Sequence, residues 1–227
     1  MLKEGGPMAK GRKFPEGVVI EKGARVYPGA KLGAGVKVGA FSQVFPRTVV
    51  GEGCVIEPYC LVGLPVPGRR ENTVIGKGSL IRSGSVIYAG VVAGPNLRTG
   101  HHCVIREGTR LGENVLVGSH VVIDGCAFIG ARVSLQTGAY VTRNTVIEDE
   151  VFFGPYAATT NDRYMRPGAE LKGPRIGASA RVGSQAVILP GITVGEGSVI
   201  GAGALVNRDT GPGETVAGVP ARALIKQ

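Results

Sequence analysis

The stretch "IREGTRLGENVLVGSHVVIDG", Ile105 to Gly125, places a large apolar residue at every sixth position. The same spacing runs from Ile20 to Val206 with two interruptions, and only Ala93 and Thr99 fill the position poorly. Gly often follows the large residue, and a small or β-branched residue comes four positions after it. A period of six sustained over this length predicts a repeat protein.

The six-residue repeat, or hexad, predicts a solenoid of short strands and turns. Each hexad supplies one strand and one turn, with the large and small residues pointing inward and Gly relieving a corner where φ becomes positive. Three hexads make one triangular coil of about 18 residues, and successive coils stack at the strand spacing of about 4.8 Å. The predicted fold is therefore all-β: a parallel β-helix solenoid of hexapeptide repeats with one continuous core.

Composition agrees with a chain of many turns. The 227 residues include 38 Gly and 14 Pro, which disfavour helices, while 43% hydrophobic residues exclude a disordered chain. No apolar run reaches the roughly 20 residues of a membrane span, and no signal-peptide core is present at the start. Four Cys without a CxxC pair predict a cytoplasmic protein. The net charge of +9 favours anionic partners but leaves their class open.

The interruptions of the hexad define the predicted organisation. A flexible N-terminal tail covers 1–17, the β-helix covers 18–210 with insertions at about 63–74 and 154–175, and a capping segment covers 211–227. The first insertion adds seven residues and the second seventeen. The second leaves the hexad at Phe153, 36 residues after Val117, which predicts that it springs from the corner that carries the histidines. Solenoid insertions often mark the binding face.

The chain has only three histidines, and the 18-residue coil places them together. Two lie in "TGHHCV", Thr99 to Val104, directly after the poorly filled positions. Residues 18 apart stack on neighbouring coils, which gives three predicted columns: His101 with Ser119 and Thr137, His102 with His120 and Gly138, and Gln136 with Gly118 and Gly100. We therefore expect one corner to hold all three imidazoles, which are bases of near-neutral pKa, although solvated turn histidines are the alternative.

From Ile20 to the C-terminus the chain resembles the hexapeptide-repeat acyltransferases, whose solenoid is a left-handed parallel β-helix. "TGHHCV" resembles the His-Asp/Glu-Cys corner of several members, in which the histidine removes a proton from an amine or hydroxyl that attacks a thioester. The resemblance implies His101 as the base, with His102 standing where the family often has a carboxylate. It also implies a homotrimer with each site between neighbouring prisms. The candidate catalytic residues are His101, His102 and His120.

The segment from Ser134 to Tyr164 resembles N-acetyltransferases that act on amino sugars carried by UDP or dTDP. This resemblance implies a role in substrate binding for four polar residues: Gln136, Thr137, Asn161 and Asp162. In some members the departing CoA sulfur takes the proton, and the histidines would then bind the sugar or the diphosphate. Asn161 and Asp162 also favour turns, so a purely structural role for them stays open.

The segment from Ser184 to Lys226 resembles the C-terminal coils of members that use acetyl-CoA. Gly and Ala at the corners would let the pantetheine arm approach backbone amides, and basic residues would meet the phosphates. The implied cofactor-binding residues are Ser119, Gly138, Gly191, Ala204, Arg208 and Arg222. The register is taken to place Pro190 and Arg208 on the histidine corner, although a solvated basic end is the alternative for the arginines.

These features predict an acetyl-CoA-dependent N-acetyltransferase that acts on a small-molecule amino sugar, with no metal, nucleic-acid or membrane partner. The alternatives are an O-acetyltransferase or other small-amine acetyltransferase, a zinc lyase resembling the γ-class carbonic anhydrases, and a non-catalytic scaffold. Three cysteines at the small inward position are expected to fill the core: Cys54, Cys60 and Cys103. Cys126 is at a turn position, and its role stays open.

Overall fold

A computed structural model describes residues 13–224 of the chain. Over this range the chain contains strands and turns only, so no helix there could cross a membrane. Up to Val206, each strand pairs in parallel with the third strand after it in the chain, and this pairing builds three sheets. We call them faces A, B and C, in the order in which the chain visits them. This is a left-handed parallel β-helix of about 11 turns, and it confirms the predicted fold class.

The strand bounds follow the hexads. Face A contains Val19–Ile20, Lys37–Val38, Val55–Ile56, Leu80–Ile81, Arg98–Thr99, Leu116–Val117, Ser134–Leu135, Phe152–Phe153, Arg181–Val182, Val199–Ile200, Thr215–Ala217 and Arg222–Ala223. Face B contains Arg25–Val26, Gln43–Val44, Leu61–Leu64, Val86–Tyr88, Val104–Ile105, Val122–Ile123, Tyr140–Val141, Ala158–Thr159, Val187–Ile188 and Leu205–Val206. Face C contains Lys31–Leu32, Thr48–Val50, Thr73–Ile75, Val92–Ala93, Arg110–Leu111, Phe128–Ile129, Val146–Ile147, Arg175–Ile176 and Thr193–Val194.

The core is a stack of the large and small inward residues. Every large hexad position from Val26 to Val206 is buried, and Phe153 is the largest fully buried side chain. Thr99 tolerates its apolar position because its hydroxyl accepts a hydrogen bond from the Arg82 amide at 2.8 Å. The three inward cysteines are buried as predicted. Burial raises the pKa of the Cys60 and Cys103 thiols to about 11, so both stay protonated at neutral pH.

The glycines that follow the large residues have a different cause from the predicted one. At Gly100, a Cβ would lie 2.2 Å from the Ser119 amide nitrogen of the next coil, so the close approach of successive coils requires glycine. Positive φ comes two residues later in the turn, at His102 (55°) and His120 (58°). The left-handed residue of each corner is therefore free to carry a side chain, at some cost in backbone energy.

Both insertions leave from the corner between faces B and C, which we call the BC corner. The first occupies residues 65–72. Thr159 fills the large position one hexad after Phe153, so the coil continues and the second excursion is residues 160–174. The predicted insertion at 154–175, leaving from the histidine corner, is therefore wrong. The sequence does not reveal this hexad, because a polar residue stands at its large position. Thr159 can be buried there because its hydroxyl accepts a hydrogen bond from the Thr142 amide at 2.8 Å.

The two ends of the solenoid differ from each other. Residues 1–12 of the predicted tail lie outside the described residues, whereas Phe14 packs against the core and the Glu16 carbonyl accepts a hydrogen bond from the Gly35 amide at 2.9 Å. At the other end, Thr215–Ala217 adds one more parallel strand to face A, inside the predicted capping segment. Arg222–Ala223 then turns back antiparallel against it and covers the sheet edge.

Candidate functional site

The turns between faces A and B, which we call the AB corner, bring the three histidines together. His102 and His120 stack with ring centroids 5.5 Å apart and planes 13° from parallel. His101 is on the same turn as His102, and all three side chains are exposed. The predicted register of the imidazoles is confirmed.

Backbone hydrogen bonds fix this cluster and restrict one predicted role. The His101 amide donates to the Ser119 hydroxyl at 3.1 Å, and the His120 amide donates to the His101 carbonyl at 2.9 Å. The Gly138 amide donates to the Ser119 carbonyl at 2.9 Å and is not free to polarise a thioester. Among residues 13–224, the Ser119 N–H has no hydrogen-bond partner, so it remains the candidate donor at this corner.

The predicted substrate residues of the next coil lie on the same corner. The side-chain nitrogen Nε2 of Gln136 donates to the Ser134 hydroxyl at 2.7 Å, which orients the side chain and leaves Oε1 as an acceptor. Thr137 is exposed, and its carbonyl accepts a hydrogen bond from the Tyr156 amide at 3.0 Å. The AB corner therefore presents polar groups of several coils beside the imidazoles.

Sequence reasoning missed a carboxylate at the same corner. Glu57 accepts hydrogen bonds from the Ser83 amide and hydroxyl at 3.0 and 3.1 Å, and from Arg82 at 3.0 Å. Burial opposes ionisation, but these hydrogen bonds and the charges of Arg82 and His101 hold the pKa of Glu57 below its ordinary value. Counting in steps of 18 residues does not find Glu57, because the first insertion lengthens this coil to 25 residues. Glu57 therefore stacks with Arg82, just as Val62 pairs with Ile87.

Four predicted site residues lie on the BC corner instead, separated from the histidines by the width of face B, about 15 to 20 Å for one extended hexad. They are Asn161, Asp162, Gly191 and Arg208. Asn161 donates to the Arg143 carbonyl at 3.2 Å, while Asp162 accepts from the amides of Tyr164 and Met165, which is turn chemistry. Placing them with the histidines was wrong because the hexad of Thr159 was not counted.

The predicted cofactor residues do not form one channel. Ala204 is buried and faces the core, and its amide donates to the Gly201 carbonyl. The Gly191 amide donates to the Lys172 carbonyl at 2.9 Å, under the second insertion. Arg222 lies at the end of face A, on neither corner, and donates to the Ala221 carbonyl. The prediction that Pro190 and Arg208 share the histidine corner is likewise wrong, since both follow strands of face B.

The BC corner holds an ion-pair cluster between the two insertions. The Glu107 side chain is nearly buried and pairs with Arg106 at 3.2 Å and Arg143 at 3.3 Å, while Arg106 also pairs with Asp124 at 2.8 Å. Burial opposes ionisation of Glu107, but hydrogen bonds and the two guanidinium charges hold its pKa below the ordinary value. The charges balance, so the cluster secures the turn. Within the described range, side chains do not group as three or more metal ligands.

Comparison with known proteins identifies the repeat. Residues 108–143 match the family model "Hexapeptide repeat of succinyl-transferase", and residues 173–208 match "Bacterial transferase hexapeptide (six repeats)". A protein of Staphylococcus aureus (strain COL), named provisionally as an acetyltransferase, is 36% identical over 121 residues, which is 52% of this chain. The chain therefore carries the hexapeptide repeats of bacterial transferases.

Further relatives of this hexapeptide-repeat chain match it over part of their own length. The bifunctional protein GlmU of Albidiferax ferrireducens is 30% identical over 171 residues, 75% of this chain and 32% of GlmU. The match to the staphylococcal protein covers 58% of that protein, so the chain spans about half the length of the curated relatives. The crystal structure of the Arabidopsis UDP-N-acetylglucosamine acyltransferase shares the fold, with a TM-score of 0.66 at 18% identity, over 91% of this chain and 73% of that one.

In this hexapeptide-repeat protein, we expect Glu57→Gln to lower the free energy of unfolding at pH 7 by about 1 kcal/mol, because a neutral amide binds Ser83 and Arg82 less strongly. The folded-state pKa of Glu57 is lowered, so the carboxylate stabilises the fold above its unfolded pKa and loses this effect as pH falls through its folded pKa. Urea unfolding in a series from pH 7 downwards measures the difference, which should shrink as the folded-state carboxyl becomes protonated. Glu52→Gln, at an exposed turn, is the control. A difference that persists in acid would contradict the assignment.

Proposed function

We propose that the chain is an acetyl-CoA-dependent N-acetyltransferase that acts on a nucleotide-linked amino sugar. The observation that carries the proposal is an exposed imidazole, His101, on a corner that also presents Gln136, Thr137 and, two coils away, the carboxylate of Glu57. The family and the name of the staphylococcal relative support acetyl transfer. The choice of an amino sugar as acceptor rests on the segment from Ser134 to Tyr164, which resembles N-acetyltransferases that act on amino sugars.

The geometry supports one assignment of the proton. The amine nitrogen attacks the thioester carbonyl, a C–N bond forms, and the C–S bond breaks to release CoA. His101 takes the proton that the amine loses, and the negative charge of Glu57 stabilises the imidazolium that forms. The Ser119 N–H is the donor that would face the developing oxyanion. Gln136 would hold the sugar through its free carbonyl oxygen.

The chemistry is tested with purified protein, acetyl-CoA and a panel of UDP- and dTDP-linked amino sugars. We expect release of free thiol together with an N-acetylated sugar nucleotide identified by mass spectrometry. The matched control is the same sugar nucleotide with a hydroxyl in place of the amine, which we expect to remain unmodified. Turnover of the hydroxyl compound alone would replace N-acetylation by O-acetylation, and no turnover across the panel would overturn the proposed function.

A homotrimer would bring the AB corner of one copy against the BC corner of another. The outward residues of face B are apolar over eight coils: Leu61, Val86, Val104, Val122, Tyr140, Ala158, Val187 and Leu205. Faces A and C interrupt their outward rows with cations such as Arg98 and Arg110. With face B turned toward a threefold axis, the AB corner of one copy meets the BC corner of the next, so each histidine cluster would face the BC corner of a neighbouring copy.

We expect Val122→Glu, in the middle of face B, to convert the trimer to monomers, because a carboxylate would be buried without a partner at each contact. Light scattering coupled to size exclusion measures the mass. Leu116→Glu, on exposed face A, is the control and should stay trimeric. A wild type that runs as a monomer, or equal dissociation of both variants, would contradict this assembly.

A further inference from the structure

The AB corner carries a ladder of exposed rings at the left-handed position of its turns: Phe41, Tyr59, His102, His120 and Tyr156. Phe41 and Tyr59 stack with centroids 5.4 Å apart, and His102 and His120 with centroids 5.5 Å apart. Between Phe41 and Tyr156, two coils supply glycine at this position instead of a ring, namely Gly84 and Gly138. The ladder therefore has two gaps, each between flat side chains. We call them the rung at Gly84 and the rung at Gly138.

The rung at Gly138 is bounded by His120 on one side and Tyr156 on the other. These rings belong to coils two apart, so their planes are separated by about 10 Å. A planar group midway would lie about 5 Å from each ring, close to the spacing of the existing stacks. Gly138 adds no side chain between the two rings, and the Tyr156 ring leans over it, since a Cβ at Gly138 would lie 2.4 Å from that ring.

We propose that the rung at Gly138 binds a nucleobase, stacked between His120 and Tyr156. The inference rests on the proposed function, whose two substrates both contain a planar base: the adenine of CoA and the base of the sugar nucleotide. Thr137 and Gln136, on the same turn, offer hydrogen-bonding groups to the edge of the base. A base also lies within two coils of His101, about 10 Å along the corner.

The rung at Gly84 is the weaker candidate. Its turn is occupied by hydrogen bonds within the protein, since Arg82 and Ser83 both bind Glu57 at 3.0 Å. The ring of His102 covers Gly84 as Tyr156 covers Gly138, so the two rungs share a shape and differ in their free polar groups. This difference provides a matched control for the experiment.

The test compares Tyr156→Leu with Tyr59→Leu, because these tyrosines border different rungs and are equally exposed, at 63% and 64%. Calorimetry measures the dissociation constants of CoA, adenosine 3′,5′-bisphosphate, UDP and dTDP. We expect Tyr156→Leu to weaken at least one of them by about 5- to 100-fold, the range for loss of one base–aromatic stack. Tyr59→Leu should stay within about twofold of wild type for that ligand.

The ligand that weakens identifies the source of the base. Loss confined to CoA and adenosine bisphosphate assigns adenine, and loss confined to UDP or dTDP assigns the sugar nucleotide. Equal loss in both variants, no loss in either, or no nucleotide binding by wild type would overturn the rung. A second readout is the imidazole C–H resonance of His120, which stacking should shift upfield; an unchanged resonance in a saturated complex would also overturn it.

The outcome is independent of acetyl transfer. A wild type that binds nucleotide through Tyr156 but transfers no acetyl group keeps the rung and overturns the proposed function. A wild type that acetylates an amino sugar while Tyr156→Leu binds every nucleotide normally keeps the function and overturns the rung.

Discussion

His101→Gln should lower kcat for acetyl transfer by about 10²- to 10³-fold, the usual contribution of a positioned general base. Glutamine keeps a polar side chain in the turn, so the AB corner and its stacked rings stay in place. Because the base acts as the C–N bond forms, kcat and kcat/KM should fall together. Steady-state release of thiol from acetyl-CoA at saturating acceptor measures both parameters.

Variants at the other imidazoles separate the base from its neighbours. His102→Gln and His120→Gln break the stacked pair, and we expect losses below about tenfold, chiefly in KM. Glu113→Gln, an exposed residue in the equivalent turn position at the corner between faces C and A, controls for surface substitution. If His101→Gln keeps most of kcat, the CoA sulfur takes the proton and His101 serves binding.

Phe153→Ala should lower the free energy of unfolding by about 3 to 5 kcal/mol, the cost of emptying a fully buried aromatic site. Phe153 is the largest side chain in the core and is 0% exposed. Its ring contributes to the column of inward residues, and the coils above and below are held by their own hydrogen bonds and cannot collapse onto the cavity. Urea and thermal unfolding followed by circular dichroism measure the loss.

The neighbouring residue supplies the control for the cavity. Phe152 is adjacent in sequence but points outward and is 38% exposed, so Phe152→Ala should cost less than about 1 kcal/mol. The pair tests the inward and outward alternation of the hexad with the same chemical change. Similar losses in both variants would mean that the assigned register is wrong.

The fold could be predicted from the sequence because the hexad is a local rule that repeats. A large residue every sixth position fixes which side chains point inward, and the 18-residue coil then fixes which turns stack, as for His102 over His120. The rule fails where a hydrogen-bonded polar side chain, and not a large apolar one, fills the inward position. Thr159 satisfies its inward position by hydrogen bonding, so one hexad was missed, and the second insertion was assigned to the wrong corner.

The candidate site was harder to predict, because it depends on accumulated register. Glu57 falls on the AB corner, two coils from His101, only after the seven extra residues of the first insertion are counted, and Asn161 changes corner with a single hexad. The presence of glycine at positions 138 and 191 does not show that their backbone amides can bind a ligand. Both amides already donate hydrogen bonds within the protein. Sequence identifies the residue types, whereas hydrogen bonding decides which groups stay available.

Because both excursions leave from the BC corner, the other two edges of the prism run without interruption through equivalent coils. Gain or loss of a whole coil by gene duplication or deletion would move everything beyond it by about 4.8 Å and leave every pairing intact. Distances along the rod can therefore evolve only in steps of that size. The prism works as a molecular ruler, on which the spacing between reactive imidazoles and any ligand anchor is set in discrete units.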